Sequence, residues 1–397
     1  MVRAGGISRS GGAAGEGPKR LYLAGDSALE LIRYLRVWDS RMPEDERLLK
    51  NGKTVRRKML RDAISSVAAL RELDDTAQRW LEHVSRPIHA FVGERSLNTT
   101  TNQLVTHVLS GKVQAGMFLD LGHGVCVSTP QFVFMQLADK ERLVETLLLG
   151  MELCGHYSRW VEPVRGKRDP RAGELEENRS CTFKLPTAMQ ARNLRAFLGR
   201  MKGRHGVVAA KAAARWVVNE SASPMETATY LLLCLPYRQG GYGLSRPVLN
   251  PKLVVSNPDG THTRYPDLYW AKRAIDVEYN SDSAHSGDWA RYRDSVREVQ
   301  LVVANVTVMP LTRKQLRKVD LFDAFARGLA KLLGERLRPR DKRWAKARAK
   351  LRMSLLAVDT PDPGTERRKA KSADNEIAEL YGMDLSDADE ADEDAGQ

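Results

Sequence analysis

No stretch of this chain reaches 18 consecutive apolar residues, so we expect no membrane-spanning helix. Residues 1–19 are rich in glycine but lack the apolar core of a secretory signal peptide, and we expect them to be disordered. Both absences predict a cytoplasmic protein. With 397 residues, of which 42% are hydrophobic, the chain has enough apolar side chains for two folded domains with flanking tails.

Cysteine is also scarce, and its spacing contains no C-x-x-C pair. The four residues are Cys126, Cys154, Cys181 and Cys234. His123 and His156 lie close in sequence to two of them, a spacing compatible with zinc ligands. The apolar neighbours of these cysteines instead favour buried free thiols, since an isolated cysteine behaves as a small hydrophobic side chain.

Basic residues are absent from residues 372–397, which carry ten carboxylates. The whole chain nevertheless has a net charge of +13, so the part before this segment is more basic still. Such an excess predicts a polyanionic partner with salt-sensitive binding. We expect residues 358–397 to form an acidic disordered tail, which either docks on the basic part in cis or serves only solubility.

The densest positive charge lies in residues 336–357, which we predict to form a basic helix. Its cationic residues surround Trp344, and they are Arg336, Arg338, Arg340, Lys342, Arg343, Lys346, Arg348, Lys350 and Arg352. As a helix, residues 341–352 would be basic on nearly every side. Charge runs of this kind are more often solvated faces than binding surfaces.

Carboxylates and apolar side chains alternate over residues 275–280, a pattern typical of a half-buried strand. One face would carry Ile275, Val277 and Tyr279, and the other Asp276, Glu278 and Asn280. Clustered carboxylates repel one another, so they commonly await a cation or a proton. The pattern is therefore compatible with a divalent metal held by Asp267 and Glu278. It is also compatible with an edge strand that has one wet face.

Pro266-Asp267 followed by Glu278-Tyr279-Asn280 resembles the core motif of the PD-(D/E)xK nuclease superfamily. More narrowly, the segment is similar to bacterial proteins related to very-short-patch repair endonucleases, in which a strand ends in Glu-Tyr-Asp-x-Asp near a histidine. The further matching residues are Asp282, His285, Asp294, Arg297, Leu301 and Val306-Thr307. Asn280 stands where this family usually has Asp or Lys.

The resemblance implies a chain of the α/β class with a restriction-endonuclease-like mixed sheet, flanked by helices, in residues 186–335. It implies a metal-dependent DNA endonuclease of bacterial defence or DNA repair. Mg²⁺ or Mn²⁺ would be held by Asp267, Glu278 and Glu226. The other implied catalytic residues are Asn280, Asp282 and His285, the last either a general base or a structural loop residue.

Nucleic-acid contacts are expected from Arg297 and from the basic helix, through Arg343, Lys346 and Lys350. Arg297 has an alternative role as an ion-pair partner within its own helix. Beside a nuclease-like core, the basic helix is better explained as a phosphate-contacting surface than as a solvated face. DNA is therefore the predicted partner, and a homodimer and a toxin or other defence-system partner are further candidates.

Glu226 has two interpretations. Ser223 is a suitable N-cap, and Glu226 three residues later would complete a capping box. In the family, the first helix often directs a Glu toward the metal site, and a capping residue at a helix start can still face a cleft. The later Gly240-Gly241-Tyr242-Gly243 lacks the strand–glycine–helix context of a phosphate-binding loop, so we assign it no nucleotide role.

Residues 20–160 are expected to form an N-terminal α+β domain, and residues 161–185 a linker rich in charge. Asp26-Ser27 is predicted to cap a helix that runs to about Trp38. The other predicted elements are a helical stretch over 55–84 with a break near Asp74-Asp75, strands at 87–92 and 104–109, a hairpin at 115–127, and helices at 130–138, 143–154, 186–202 and 206–219.

The residues 125–130 and 134–138 resemble the N-terminal region of abortive-infection antitoxins of the AbiEi type, which begin with a winged-helix-like module. Together with Asn280, this resemblance supports an alternative function. In that alternative, the nuclease fold is inactive or only weakly active and binds DNA as a regulator or antitoxin-like component.

Overall fold

The computed structural model describes residues 19–55, 60–159, 181–257, 260–280, 306–338 and 341–356. These residues form a mixed α/β structure, so the α/β part of the predicted fold class is confirmed. None of the helices in these ranges is long and apolar enough to cross a membrane. The predicted disordered start and the predicted acidic tail lie outside the described residues.

The strands are β1 (Leu21–Leu23), β2 (Lys53–Thr54), β3 (Ile88–Val92), β4 (Leu104–Val108), β5 (Phe118–Gly122), β6 (Val125–Ser128), β7 (Tyr157–Ser158), β8 (Thr182–Phe183), β9 (Val248–Leu249), β10 (Leu253–Asn257), β11 (Gly260–Arg264), β12 (Leu268–Trp270), β13 (Ile275–Asn280) and β14 (Thr307–Thr312). The helices are α1 (Gly25–Ser40), α2 (Leu48–Asn51), α3 (Val67–Arg71), α4 (Asp75–Leu81), α5 (Pro130–Leu137), α6 (Leu143–Leu153), α7 (Ala191–Arg200), α8 (Val207–Ala214), α9 (Pro224–Cys234), α10 (Arg313–Arg317), α11 (Val319–Leu333) and α12 (Lys342–Leu356).

The chain divides into two compact units, and their boundaries differ from the predicted domains. One unit comprises Met1–Glu141 with Ala188–Ala212, and the other comprises Arg142–Thr187 with Ala213–Gln397. Helix α6 therefore belongs to the second unit, although the sequence predicts it within an N-terminal domain of residues 20–160. Conversely, α7 belongs to the first unit, although the sequence predicts it within a nuclease-like domain of residues 186–335.

The first unit contains a mixed sheet with the described strand order β2-β5-β6-β1-β3-β4. Strand β1 is parallel to β6 and antiparallel to β3, and β3 is parallel to β4. The predicted strands at 87–92 and 104–109 and the hairpin at 115–127 are confirmed, whereas β1 was missed because it has only three residues. Thr129 caps α5, whose first residue is Pro130, as the sequence indicates.

Two helix predictions for this unit are wrong in detail. Helix α1 follows Ala24 without a side-chain cap, so Asp26 lies inside the first turn. The expected long helical stretch over 55–84 contains only α3 and α4 among its described residues. The predicted break near Asp74-Asp75 is confirmed, because Asp74 Oδ1 accepts a hydrogen bond of 3.0 Å from the Ala77 N–H and caps α4.

The cysteines and the predicted linker depart only partly from expectation. Cys126, Cys154 and Cys234 are buried free thiols, as predicted, but Cys181 is half-buried. Burial is the main cause that raises the pKa of the Cys126 thiol to about 12. The predicted linker at 161–185 is not entirely irregular, since β8 within it pairs with β7.

The second unit contains a described four-stranded sheet of order β14-β13-β12-β9 and a separate hairpin of β10 and β11. Strand β13 is antiparallel to β12 and parallel to β14. The two parallel neighbours are separated by residues 281–306, enough chain for a crossover connection. Helix α9 precedes this sheet and is buried from Glu226 to Cys234, as its apolar sequence predicts.

Helix α12 was predicted over residues 336–357 as a helix basic on nearly every side, and this prediction is wrong in two respects. The helix begins at Lys342, after a non-helical segment that contains Arg336 and Arg338. It also has a buried face, formed by Trp344, Arg348, Leu351, Arg352 and Leu355.

Arg348 is fully buried and forms an ion pair with Asp323 of α11. Its guanidinium lies 4.6 Å from the ring centre of Tyr242 and 4.8 Å from that of Trp344. Tyr242 also donates a hydrogen bond to Asp323. The ion pair and the ring contacts of Arg348 therefore hold α12 against the rest of its own unit.

The glycine-rich loop approaches the backbone of α12 closely. A Cβ atom at Gly240 would lie 2.5 Å from the carbonyl oxygen of Ala347, and the φ of Gly240 is +85°. The indole Nε1 of Trp344 donates a hydrogen bond of 3.1 Å to the carbonyl of Gly241. These glycines therefore permit the packing of the loop against the helix.

We expect Arg348→Ala to lower the free energy of unfolding by about 3–5 kcal/mol, because Asp323 would remain buried without its countercharge. Lys346→Ala, on the exposed side of the same helix, should change it little. Urea denaturation of both variants measures the difference. Equal stabilities would show that the Arg348 ion pair does not hold α12 in place.

Candidate active site

The acidic side chains of the sequence motif lie where β12 and β13 pair. Leu268 faces Val277 in this antiparallel pair. In an antiparallel pair, the residue numbers run in opposite directions along the two strands, so Asp267 lies opposite Glu278. The backbone N–H of Tyr279 donates a hydrogen bond of 2.8 Å to Asp267 Oδ2, which orients this carboxylate against the neighbouring strand. Two carboxylates therefore meet on one face of the sheet.

Strand β13 is an interior strand, so the alternative of an edge strand is wrong for the described sheet. The alternation of apolar and acidic residues along β13 does not separate a buried face from a solvent-exposed face. Ile275 and Val277 are buried as predicted, but Asp276 is 0% exposed as well. Exposure rises along the other face, from Asp276 through half-buried Glu278 to exposed Asn280. The sheet is covered on both sides where β13 begins and opens toward its end.

Glu226 supports the start of α9, although not through the predicted capping box. Ser223 Oγ accepts a hydrogen bond of 3.1 Å from the Glu226 N–H and caps the helix. The carboxylate of Glu226 accepts from the Ala222 N–H at 2.8 Å instead of from the backbone N–H of Ser223 that a capping box requires. Its Oε2 also accepts from Asn250 Nδ2 at 2.7 Å. With 6% of its surface exposed, Glu226 is a buried carboxylate whose hydrogen bonds hold it in one orientation.

The same carboxylate interacts with the strand motif. Burial is the largest cause that raises the pKa of Glu226, and the negative charge of Glu278 raises it further. The hydrogen bonds from Ala222, Asn250 and Ser223 oppose this shift but do not cancel it. Helix α9 and strand β13 thus bring two carboxylates close enough to repel each other.

Asn250 links two of the acidic positions, Asp267 and Glu226, and was missed at the sequence level. Its backbone N–H donates to the carbonyl of Asp267 at 3.1 Å, and its side chain donates to Glu226 and to the carbonyl of Glu220. It adopts a φ of +44°, which asparagine tolerates better than most residues. The dipeptide Asn250-Pro251 indicates a turn but carries no signal for these long-range hydrogen bonds.

Hydroxyl groups beside α9 hold its first turn. Tyr157 and Ser221 each lie within hydrogen-bonding distance of Thr227 Oγ1, at 3.0 and 2.8 Å. Ser221 Oγ also donates to the carbonyl of Ser223 at 3.0 Å. This buried network fixes the segment from which Glu226 projects. Satisfied polar networks of this kind rigidify the structure around them.

The other predicted site residues divide into three groups. Asn280 is exposed and, being two residues after Glu278, lies on the same face of β13. Asp282, His285 and Arg297 lie outside the described residues. The predicted phosphate contacts on α12 are all exposed, and they are Arg343, Lys346 and Lys350. Their spacing of three and four residues places them on one side of the helix.

The donor chemistry of the acidic cluster, formed by Asp267, Glu278 and Glu226, fits a hard divalent cation. Carboxylate oxygens are the preferred ligands of Mg²⁺ and Mn²⁺. A cation would also offset the repulsion that raises the pKa of Glu226. Within the described ranges, however, no group of three or more His, Cys, Asp or Glu side chains is already placed to hold a metal ion.

The comparisons with known proteins add no relative. No protein-family model, no curated protein and no solved structure matches the chain.

In EDTA, Glu226 should make the stability of the protein depend on pH. Because its pKa in the folded protein lies above the ordinary 4.5, the stability that it contributes is greatest below pH 4.5. That contribution is lost as the pH rises from 4.5 through the raised pKa. The unfolding free energy of the wild type minus that of Glu226→Gln, measured by urea denaturation, should therefore decrease over this range.

The same comparison in a Glu278→Gln background isolates the interaction between the two carboxylates. Removing the charge at Glu278 should make the decrease smaller and end it at a lower pH. A decrease unaffected by Glu278→Gln would mean that burial alone raises the pKa of Glu226.

Proposed function

We propose that this chain is a metal-dependent nuclease that hydrolyses phosphodiester bonds in DNA. The observation that carries the proposal is that Asp267, immediately before β12, comes opposite Glu278 of β13, whose negative charge also raises the pKa of Glu226. This arrangement contains the acidic residues of the Pro-Asp and Glu-x-Asn motif. A role of the protein in bacterial defence or DNA repair is part of the same proposal.

The topology of the second unit also supports the proposal. A helix, α9, is followed by antiparallel β12 and β13, and then by β14 parallel to β13. A restriction-endonuclease-like core is expected to have its acidic residues on two adjacent central strands of such a mixed sheet. In the resembled family, a Val-Thr pair ends a strand. Here β14 begins at Thr307, so Val306-Thr307 opens the strand and departs from that pattern.

The residues of the chain have separate roles in this mechanism. Asp267 and Glu278 would hold Mg²⁺ or Mn²⁺, with Glu226 as the third carboxylate. When bound, such an ion polarises the scissile phosphate and lowers the pKa of an attacking water. Tyr279 and Asn250 orient the carboxylates of Asp267 and Glu226 through their hydrogen bonds.

Helix α12 supplies a surface for the DNA backbone. Its buried face is fastened by Arg348, whereas Arg343, Lys346 and Lys350 remain exposed on one side. Exposed cations at this spacing can contact successive phosphates without reading the sequence of the bases. The proposed substrate is consequently bound through its charge.

Asn280 favours a second candidate function, DNA binding without cleavage. It is exposed on the face of β13 that bears Glu278, where a charged residue is expected in an active nuclease of this kind. Asparagine can hydrogen-bond to water or phosphate but supplies no charge. The alternative retains the fold and the basic surface and removes only the chemistry.

Purified full-length protein should nick supercoiled plasmid in Mg²⁺ or Mn²⁺ and not in EDTA. Asp267→Ala and Glu278→Ala should each abolish nicking, because each removes a metal-binding carboxylate, while DNA binding persists. Asp320→Asn, an exposed carboxylate at the start of α11, is the matched control and should cleave normally. Full activity in either alanine variant would remove the acidic cluster from the reaction.

The same assay with Asn280→Asp separates the two candidate functions. If the wild type is inactive and this variant cleaves, the protein is a DNA-binding module that has lost catalysis. If both cleave, and the variant does so faster, Asn280 only moderates metal affinity.

DNA affinity should fall with salt, and the α12 surface should carry part of that dependence. Replacing Arg343, Lys346 and Lys350 by alanine should flatten the log–log slope by about 0.9 for each duplex phosphate that is no longer neutralised. The control removes three exposed cations elsewhere in the same unit, Lys272, Arg327 and Lys331. Equal slopes for the two triple variants, in anisotropy titrations of a labelled duplex, would exclude α12 as the DNA-binding surface.

A further inference from the structure

A cleft of about 750 Å³ opens in the second unit, lined by none of the carboxylates of the acidic cluster. One side is formed by the loop after α9, and another by the segment between α11 and α12. Its volume lies within the range of about 300–1,000 Å³ that is usual for ligand sites.

Four arginines line the cleft. Arg238 and Arg246 come from the loop, and Arg336 and Arg338 come from the segment before α12. All four side chains are exposed, and the described residues that line the cleft include no carboxylate. Four guanidinium groups around one concavity repel each other, so the cleft favours a ligand with negative charge.

Two aromatic rings that are held by neighbouring side chains line the cleft together with these arginines. Trp216 lines the cleft and carries the guanidinium of Arg246 4.1 Å from its ring centre. Tyr237 lines it as well and stacks on Trp344, with ring centres 5.5 Å apart and planes inclined by 10°. Trp216 and Tyr237 are each half-buried and held by a neighbour, so each ring is presented in a fixed orientation.

The two sides of the cleft are tied together. Ser245 donates hydrogen bonds from its N–H and its hydroxyl to the carboxylate of Glu335, two residues after the end of α11. The carbonyl of Ser245 accepts a hydrogen bond of 2.8 Å from Trp270 Nε1 in β12. The arginines therefore project from backbone segments that are already positioned relative to each other.

We propose that this cleft binds single-stranded nucleic acid, with phosphates on Arg238, Arg336 and Arg338 and an unstacked base against Trp216 or Tyr237. A cleft that combines cations with aromatic rings suits a single strand, because the bases of a single strand are free to stack on protein side chains. A duplex keeps its bases stacked inside and offers only phosphates to such a concavity. The cleft thus differs in ligand from the exposed face of α12.

This proposal concerns binding and stands without the nuclease activity. Only the further idea that the cleft holds a separated strand during cleavage rests on the proposed function. Measurements in EDTA with a chain that carries Glu278→Gln keep the two apart. Such a chain can fail to cut and still bind the strand.

The test is fluorescence anisotropy of a short labelled oligothymidylate in EDTA, using the full chain with Glu278→Gln. Adding Arg336→Ala and Arg338→Ala should weaken binding by at least about tenfold, since each arginine forms charge-assisted hydrogen bonds to phosphate. It should also flatten the log–log salt slope by about 0.7 for each phosphate that is no longer neutralised. The control double variant, Arg327→Ala with Lys331→Ala, removes the same charge from exposed positions on α11 and should change affinity by less than about twofold.

An abasic strand of the same length tests the role of the bases. It should bind several-fold more weakly than oligothymidylate, and Trp216→Leu should weaken oligothymidylate but not the abasic strand. Circular dichroism and thermal unfolding confirm that the variants are folded. The proposal is overturned if both double variants lose affinity equally, or if the abasic strand binds as tightly as oligothymidylate.

Discussion

The pairing of β12 with β13 is the constraint on which the acidic cluster depends. It sets Asp267 opposite Glu278 and lets the backbone of Tyr279 hold the Asp267 carboxylate. A slip of one residue would turn Glu278 to the other face of the sheet and dismantle the cluster. Ile275, Asp276 and Val277 are all buried at the start of β13, so such a slip would be costly because it would exchange the side chains on both covered faces.

In the acidic cluster, the fold brings negative charges together although they repel each other. Glu226 is buried close to Glu278, which raises its pKa, and hydrogen bonds from Ala222 and Asn250 only partly compensate. A protein selected for stability alone would not place these charges together. Their proximity is more easily understood if a cation joins them, as in the proposed nuclease.

The sequence was informative where a local rule decides the outcome. Ser223 caps α9, Thr129 and Pro130 open α5, and Pro266-Asp267 precedes the strand that pairs with β13. It was not informative where distant segments meet. Nothing near Asn250 reveals its hydrogen bond to Glu226.

Charge patterns show the same limit. From the sequence, Arg348 is predicted to be a solvated cation. The fold instead pairs it with Asp323, and the sequence spacing of charged residues does not reveal an ion pair between two separate helices. The cleft arginines were likewise hidden, since Arg336 and Arg338 resembled one turn of a basic helix. In the structure, α11 ends just before Gly334, whose φ is +71°, and the chain turns there. Arg336 and Arg338 therefore lie outside α11 and line the same cleft as Arg238.

The most direct test of the account is a Mn²⁺ titration followed by isothermal calorimetry at neutral pH. The account predicts binding to wild type that is lost in Glu278→Gln, weakened in Glu226→Gln, and unchanged in Asp320→Asn. Binding that survives Glu278→Gln unaltered, or no binding of Mn²⁺ to the wild type, would contradict the assignment of Asp267, Glu278 and Glu226 as a metal-binding cluster.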